Sequence, residues 1–127
     1  MKVTSNAELK QSVVVDADGN TLYMFTADTG GKASCVSDQP VPGCGKVWPP
    51  LVAEGKLQGG EGIDQKLIGT TKRTDGKTQV TYNNHPLYHF RGYGGTPADK
   101  KAGDLNGQAF AGIWFVLSPK GAPITQQ

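Results

Sequence analysis

A short aromatic phrase occurs twice in this chain. Thr21-Leu22-Tyr23-Met24-Phe25 is answered by His85-Pro86-Leu87-Tyr88-His89-Phe90, and the two share Leu-Tyr-x-Phe. A tryptophan follows each phrase at nearly the same distance. Trp48, in Val47-Trp48-Pro49, lies 25 positions past Tyr23, and Trp114, in Ile113-Trp114-Phe115, lies 26 past Tyr88. Large aromatic side chains are few here, so their recurrence in matched order predicts two related units. A unit of that size cannot bury its apolar face alone and needs its neighbour to close a core. The 127 residues allow one such core and not two independent ones. With 18 glycines and 8 prolines, the composition suits short strands and turns rather than long helices. The expectation is an all-β or mainly-β fold, a single domain over 1–127 built of two pseudo-symmetric β repeats with long loops. Repeat one covers about 10–53, repeat two about 67–121, and 122–127 form a loose tail.

Local signals place the strands. Val13-Val14-Val15 is β-branched, Asp16 to Asn20 carries a turn, and Thr21 to Thr26 returns as the second arm of a hairpin. Residues 27–46 hold Gly30-Gly31, Pro40, Pro42 and both cysteines, and read as a long loop. Trp48 to Val52 is extended, and Pro49-Pro50 confines it to an edge. The stretch 54–66 is polar and glycine-rich. In the second unit, Leu67 to Arg73 and Thr78 to Tyr82 flank the turn Thr74-Asp75-Gly76-Lys77, and Leu87 to Arg91 is the next strand. A second long loop spans 92–109, and Ile113 to Ser118 closes the unit. No window carries a helical period, and the one short helical turn expected is at Pro97-Ala98-Asp99-Lys100. Alternation puts Tyr23 and Phe25 on one strand face and Leu22 and Met24 on the other. Tyr88 and Phe90 oppose Leu87, His89 and Arg91 in the same way. Each large ring can bury roughly 150–250 Å², which assigns the repeated aromatics to the interior.

Composition excludes several function classes. The formal net charge is +2, with acids and bases interspersed and no basic stripe, so nucleic acid is not an expected partner. No apolar run approaches the roughly 20 residues that span a bilayer. Met1-Lys2-Val3-Thr4-Ser5-Asn6 has no signal-peptide core. Cys35 and Cys44 are the only cysteines. An even pair in a Gly/Pro-rich loop predicts a disulfide and an oxidising compartment, against the alternative of two free thiols in a cytosolic protein. The bond would close a short loop, worth roughly 2.5–3 kcal/mol in the chain-entropy model.

Candidate chemistry is sparse. His85 and His89 are four apart, which on a helix would put both imidazoles on one face, but Pro86 and the turn signals favour extended chain. Four strand residues span roughly 13 Å, too far for one metal ion unless the turn at Asn83 to Pro86 folds His85 back. His89 occupies the repeat position of Met24, and a His/Met pair suits soft copper. Asp16-x-Asp18-x-Asn20 opens like a calcium loop, but Thr21 and Ala27 stand where glycine and a carboxylate are required, so a turn explains it better. Neither Gly59-Gly60-Glu61-Gly62 nor Gly92-Tyr93-Gly94-Gly95 has a phosphate-loop setting, and no serine stands beside a His-Asp pair. Asp28 and Asp104 are read as loop anchors.

Several segments fall into a known order. Tyr23-Met24-Phe25-Thr26-Ala27-Asp28 is followed by Cys44-Gly45-Lys46-Val47-Trp48-Pro49-Pro50-Leu51. Gln79-Val80-Thr81-Tyr82, Pro86-Leu87-Tyr88 and Gly103-Asp104-Leu105-Asn106-Gly107-Gln108 then lead to Gly112-Ile113-Trp114. Over residues 13–121 the chain resembles the bacterial lipoproteins with a Y-x-[FWY]-x-x-D motif, also described as a secreted repeat of unknown function. The second copy, Tyr88-His89-Phe90-Arg91-Gly92-Tyr93, departs from the motif by ending in Tyr93. The resemblance implies an extracytoplasmic domain of the periplasm, outer membrane or cell surface. Its only attachment to a membrane would be a lipid on a leader cysteine that this chain does not carry. The resemblance implies no activity.

These readings converge on a non-enzymatic binding or structural module of the bacterial cell envelope, with no cofactor, acting on an unknown envelope ligand or protein. Loops on a rigid sheet are where such function usually sits, and Asp28, Asp99, Asp104 and Gln108 are expected as exposed loop determinants. The alternative is an envelope copper-binding or electron-transfer protein using His89, His85 and Met24, with Tyr23, Tyr88, Trp48 and Trp114 as electron relays.

Overall fold

The computed structural model describes residues 1–55 and 59–125. Among these the chain is mainly strand. The strands are β1 (Lys2–Asn6), β2 (Gln11–Val15), β3 (Tyr23–Phe25), β4 (Ile68–Lys72), β5 (Thr78–Tyr82), β6 (His85–Pro86) and β7 (Trp114–Val116). A four-residue helix α1 (Cys44–Val47) and a 3-10 turn at Gln65–Leu67 are the helical pieces. Three small antiparallel sheets form, β1-β2, β3-β7 and β4-β5-β6. Single bridges and hydrogen bonds join them across the middle of the molecule.

The two tyrosines mark the pseudo-symmetry centre. Tyr23 and Tyr88 exchange backbone hydrogen bonds, N to O at 2.9 Å one way and 3.0 Å the other. From there the arrangement runs outward in matched steps. Tyr23 pairs with Val116 on its far side, and Tyr88 bridges Pro50 on its own. Thr26 N donates to Ile113 O as Arg91 N donates to Val47 O, and Val14 N donates to Leu117 O as Val80 N donates to Leu51 O. Hydrogen-bonded segments therefore follow in the order β1, β2, β7, β3, 87–89, 49–52, β5, β4. Both neighbours of each tyrosine segment come from the other copy.

This order buries most of the centre on both faces. Val13 and Val15 pack with Tyr23, Phe25, Tyr88 and Phe90 in one cluster, while Val14 packs with Leu22, Met24, Leu87, Phe115 and Leu117 in the other. The uninterrupted valine run of β2 follows from that two-sided burial. The expected alternation of Tyr23/Phe25 against Leu22/Met24 is what separates the clusters.

Several expectations are corrected. Residues 10–26 do not form a full hairpin, because β2 pairs along its length with β1 and touches the return arm only at Val15–Thr21. β1 stands to β2 as β4 stands to β5, so a strand ahead of residue 10 packs onto the first unit. The helical turn is at Cys44–Val47, not at 97–100, which has no helical turn. The tail is held through Ile124: Leu117 bridges Pro123, Ile124 N donates to Val116 O, and the Ile124 side chain is buried. Part of the 54–66 loop and the last two residues of the expected loose tail lie outside the described residues.

Candidate functional site

Each repeated tyrosine carries its hydroxyl to a carboxylate of the other copy. Tyr88 Oη donates to Asp28 Oδ2 at 2.9 Å, and Tyr23 Oη donates to Asp99 Oδ2 at 2.6 Å. Both hydroxyls also accept a backbone N–H, from Cys35 at 3.4 Å and from Gly107 at 3.2 Å. The carboxylates in turn hold their loops. Asp28 Oδ1 accepts from the N–H and hydroxyl of Ser34, and Asp99 Oδ1 accepts from the Asn106 N–H. Burial raises the pKa of Asp28 and of Asp99, and the hydrogen bonds oppose this without cancelling it. Burial, then the adjacent carboxylate, drives both tyrosine pKa values well above the ordinary phenol. At physiological pH the hydroxyls remain donors, and the network locks two loops onto the core.

Asp99 supplies what the second copy's motif lacks. Tyr93 stands at the motif aspartate's position, yet Asp99 makes the bond that Asp28 makes in the first copy. The loops begin with matched four-residue turns, Thr29-Gly30-Gly31-Lys32 and Tyr93-Gly94-Gly95-Thr96. The acid lies before the turn in one copy and after it in the other.

The rings pack with the same exchange. Trp48 and Trp114 stack at 3.8 Å with planes 1° apart. Tyr23 meets the edge of Trp48, and Tyr88 that of Trp114, at 5.3 and 5.1 Å. Phe25 stacks on Trp114 at 4.1 Å, and Phe90 lies against Trp48 at 4.5 Å. Phe25 and Phe90 cover the outer faces of the stacked pair, and both indoles are buried. The backbone of Gly107 touches this cluster, since a Cβ there would sit 2.7 Å from Trp48 Cη2.

Above the indoles, the two long loops leave an apolar groove of about 500 Å³. Its walls are Pro40, Val41, Pro42 and Val47 from the disulfide loop and Tyr93, Phe110 and Ile113 from the second copy. Among the described residues four large hydrophobic residues are exposed, and three of them, Val41, Tyr93 and Ile113, rim this groove. Tyr93 is 62% exposed. Sequence reasoning missed these residues because they break no strand pattern. The available signal was an apolar side chain kept in a turn-rich loop, as in Pro40-Val41-Pro42 and Gly92-Tyr93-Gly94. The Cys35–Cys44 disulfide is formed and buried, and it ties down the groove's first wall.

The remaining expected residues are dispersed. Asp28, Asp99, Asp104 and Gln108 are half-buried rather than exposed. Asp104 accepts from the N–H groups of Lys100 and Lys101, which lower its pKa, and Gln108 joins Val116 N to Ile124 O. His89 Nε2 lies 2.9 Å from Asp16 Oδ2, beside a polar cleft of about 570 Å³. Asp16 also accepts from Asp18 and Asn20, the turn expected there. His85 is half-buried on the Asp28 side, and burial lowers its pKa against the pull of that carboxylate. Met24 is buried in the second cluster. The antiparallel register about Tyr23 and Tyr88 places Met24 across from Leu87, not from His89, so the three metal candidates are not brought together. Among the described residues no group of three or more His, Cys, Asp or Glu is arranged to hold a metal ion. The polar cleft's carboxylates are already engaged, Asp16 by His89 and Asp99 by Tyr23, whereas the groove's apolar rim has no cover. The groove is the better candidate site.

No helix among the described residues is long and apolar enough to cross a membrane. No curated protein and no solved structure matches the chain. One family does match, over residues 10–52 and 69–118, which lie within the two interleaved copies. A secreted family and a formed disulfide agree on a location outside the cytoplasm. The chain belongs to the Lipoprotein_15 family, a secreted repeat of unknown function.

Proposed function

We propose that the chain is a non-enzymatic binding module of the bacterial cell envelope, which presents the apolar groove between its long loops to an envelope ligand or protein. The observation that carries this reading is the concentration of exposed Val41, Tyr93 and Ile113 around one groove. Contiguous exposed apolar surface rimming a cleft marks an interaction site more often than chance exposure. The repeated motif residues serve the core that holds this face rigid. In this reading the module is held to the envelope by a lipid anchor.

A neutral fluorophore, N-phenylnaphthylamine, tests the groove directly. Saturable fluorescence enhancement is expected, with the tryptophan emission changing in step. It is weakened in a Val41→Ser/Ile113→Ser variant of unchanged melting temperature. Absence of saturable binding, or binding indifferent to the double substitution, rules the groove out as the binding face.

A further inference from the structure

We infer that the outer edge of β4 pairs with the same edge of a second copy of the chain, antiparallel about Thr70, so that two molecules share one continuous sheet. This pairing is independent of the groove. It starts from a difference between two equivalent places in the fold. Val14 and Val80 correspond, since each donates toward the centre, to Leu117 O and to Leu51 O. Their outward neighbours are Val3 in β1 and Thr70 in β4. Because the Val14 N–H is turned away from β1, Val3 presents its own N–H outward. There it meets Glu61 O at 2.9 Å, and Gly60 N donates to Met1 O at 2.7 Å. The segment at 60–61 therefore covers the start of the β1 edge.

The β4 edge has no such strap. Val80 N and O are both engaged, with Leu51 O and Leu87 N, and Thr78 O accepts from Ala53 N. The antiparallel ladder then turns the backbone groups of Thr70 and Lys72 away from β5. Among the described residues, Thr70 N–H, Thr70 C=O, Lys72 N–H and Ile68 C=O have no hydrogen-bond partner. Thr70 and Lys72 are exposed.

A second β4 fits this set of groups. With Thr70 opposite the partner's Thr70, the two exchange N–H and C=O, and each Lys72 N–H meets the C=O of the partner's Ile68. Only the Lys72 C=O lacks a donor, because Ile68 N–H is already held by Gln65 O, and Lys72 is the exposed last residue of β4. Threonine opposite threonine is a favourable cross-strand pair, and Lys72 stands opposite the partner's Ile68 rather than another lysine. A two-fold axis at Thr70 makes the contact isologous and closes it at two copies. Bare antiparallel edges of this kind are what chains use to pair with one another.

Sedimentation over about 1 μM to 1 mM, with amide hydrogen exchange at both ends of that range, tests the pairing. A monomer–dimer equilibrium is expected. The Thr70 and Lys72 amides exchange freely in the dilute protein and gain about tenfold protection or more in the concentrated one. Val3, Gly69 and Thr71 are protected in both, because their N–H groups are bonded within the molecule. Thr70→Pro removes an N–H that no internal bond uses and leaves the ladder at Gly69 and Thr71 in place, so it abolishes the dimer. The exchange readout needs no variant and decides by itself. A chain that stays monomeric throughout overturns the proposal, as does a dimer in which the Thr70 amide exchanges freely, or a folded Thr70→Pro variant that dimerises as before. Protection of Thr70 that appears only on adding a capped Gly-Gly-Glu-Gly-Ile peptide also overturns it, and assigns the edge to a foreign strand.

Discussion

Removing the Tyr88 hydroxyl tests whether the two copies are joined through exchanged tyrosine–aspartate bonds. Tyr88→Phe deletes one donor to Asp28 Oδ2 at 2.9 Å and one long acceptor for Cys35 N. A hydrogen bond to an ionised group contributes about 1.5–3 kcal/mol. Asp28 keeps two donors from Ser34, so the carboxylate is not abandoned, and the expected loss is about 2 kcal/mol. Tyr23→Phe has matched partners and is expected to lose about the same. For a domain of this size each variant should melt roughly 10 °C lower. Double-mutant cycles in urea, with the disulfide intact, supply the sharper readout. Tyr88→Phe with Asp28→Asn should show coupling of about 1 kcal/mol or more, while Tyr23→Phe with Asp28→Asn should be additive within about 0.5 kcal/mol. Coupling found in the second pair and absent from the first would falsify the exchanged pairing.

Three further outcomes are expected. Gly107→Ala places a Cβ 2.7 Å from Trp48 and 3.0 Å from Phe90, and should lower urea-unfolding stability by about 2 kcal/mol or more; a neutral effect contradicts the packing. Replacing both Cys35 and Cys44 by serine should lower stability by about 2.7 kcal/mol, and because both sulfurs are buried, thiol reagents should reduce the native bond only when denaturant is present. The acids divide by sign in pH-dependent unfolding. Although burial raises it, Asp16 is held below 3.8 by His89 and Asn20, so its contribution is full above 3.8 and is lost as pH falls through the lowered value. The gap between wild type and Asp16→Asn should close over that window. Asp28 and Asp99 are raised, so their protons favour the folded state and stability falls as pH climbs from 3.8 through the raised values. Asp28→Asn should remove part of that falling slope, and an unchanged slope counts against the burial of its carboxyl.

Much of the core was readable from ring order and strand alternation. Tyr23, Phe25, Tyr88, Phe90, Trp48 and Trp114 do meet in one cluster, and the β4–β5 hairpin follows its Asp-Gly turn. The pairing of β1 with β2 was hidden, because Lys2 to Asn6 alternates weakly and its partner is fixed by the fold's symmetry rather than by a turn signal. Helix α1 is four residues long, too short for any periodic signature. Asp99 was singled out as a loop residue, but its equivalence to Asp28 was hidden because the acid had changed sides of its turn, so sequence position no longer reported spatial equivalence. The groove was least legible: its walls come from loops far apart in the chain, and only tertiary placement shows that Val41, Tyr93 and Ile113 share a rim.

The alternation of segments across the centre has a consequence for how such a chain arises and how it can be divided. A polypeptide holding one copy would leave its tyrosine strand bare along both edges, and bare edges invite pairing with another chain. Two identical single-copy molecules would satisfy each other by trading strands around a true dyad, as swapped dimers do. The present molecule is that dimer made covalent, and its two halves cannot be produced as separate stable fragments, only as pieces that fold on meeting.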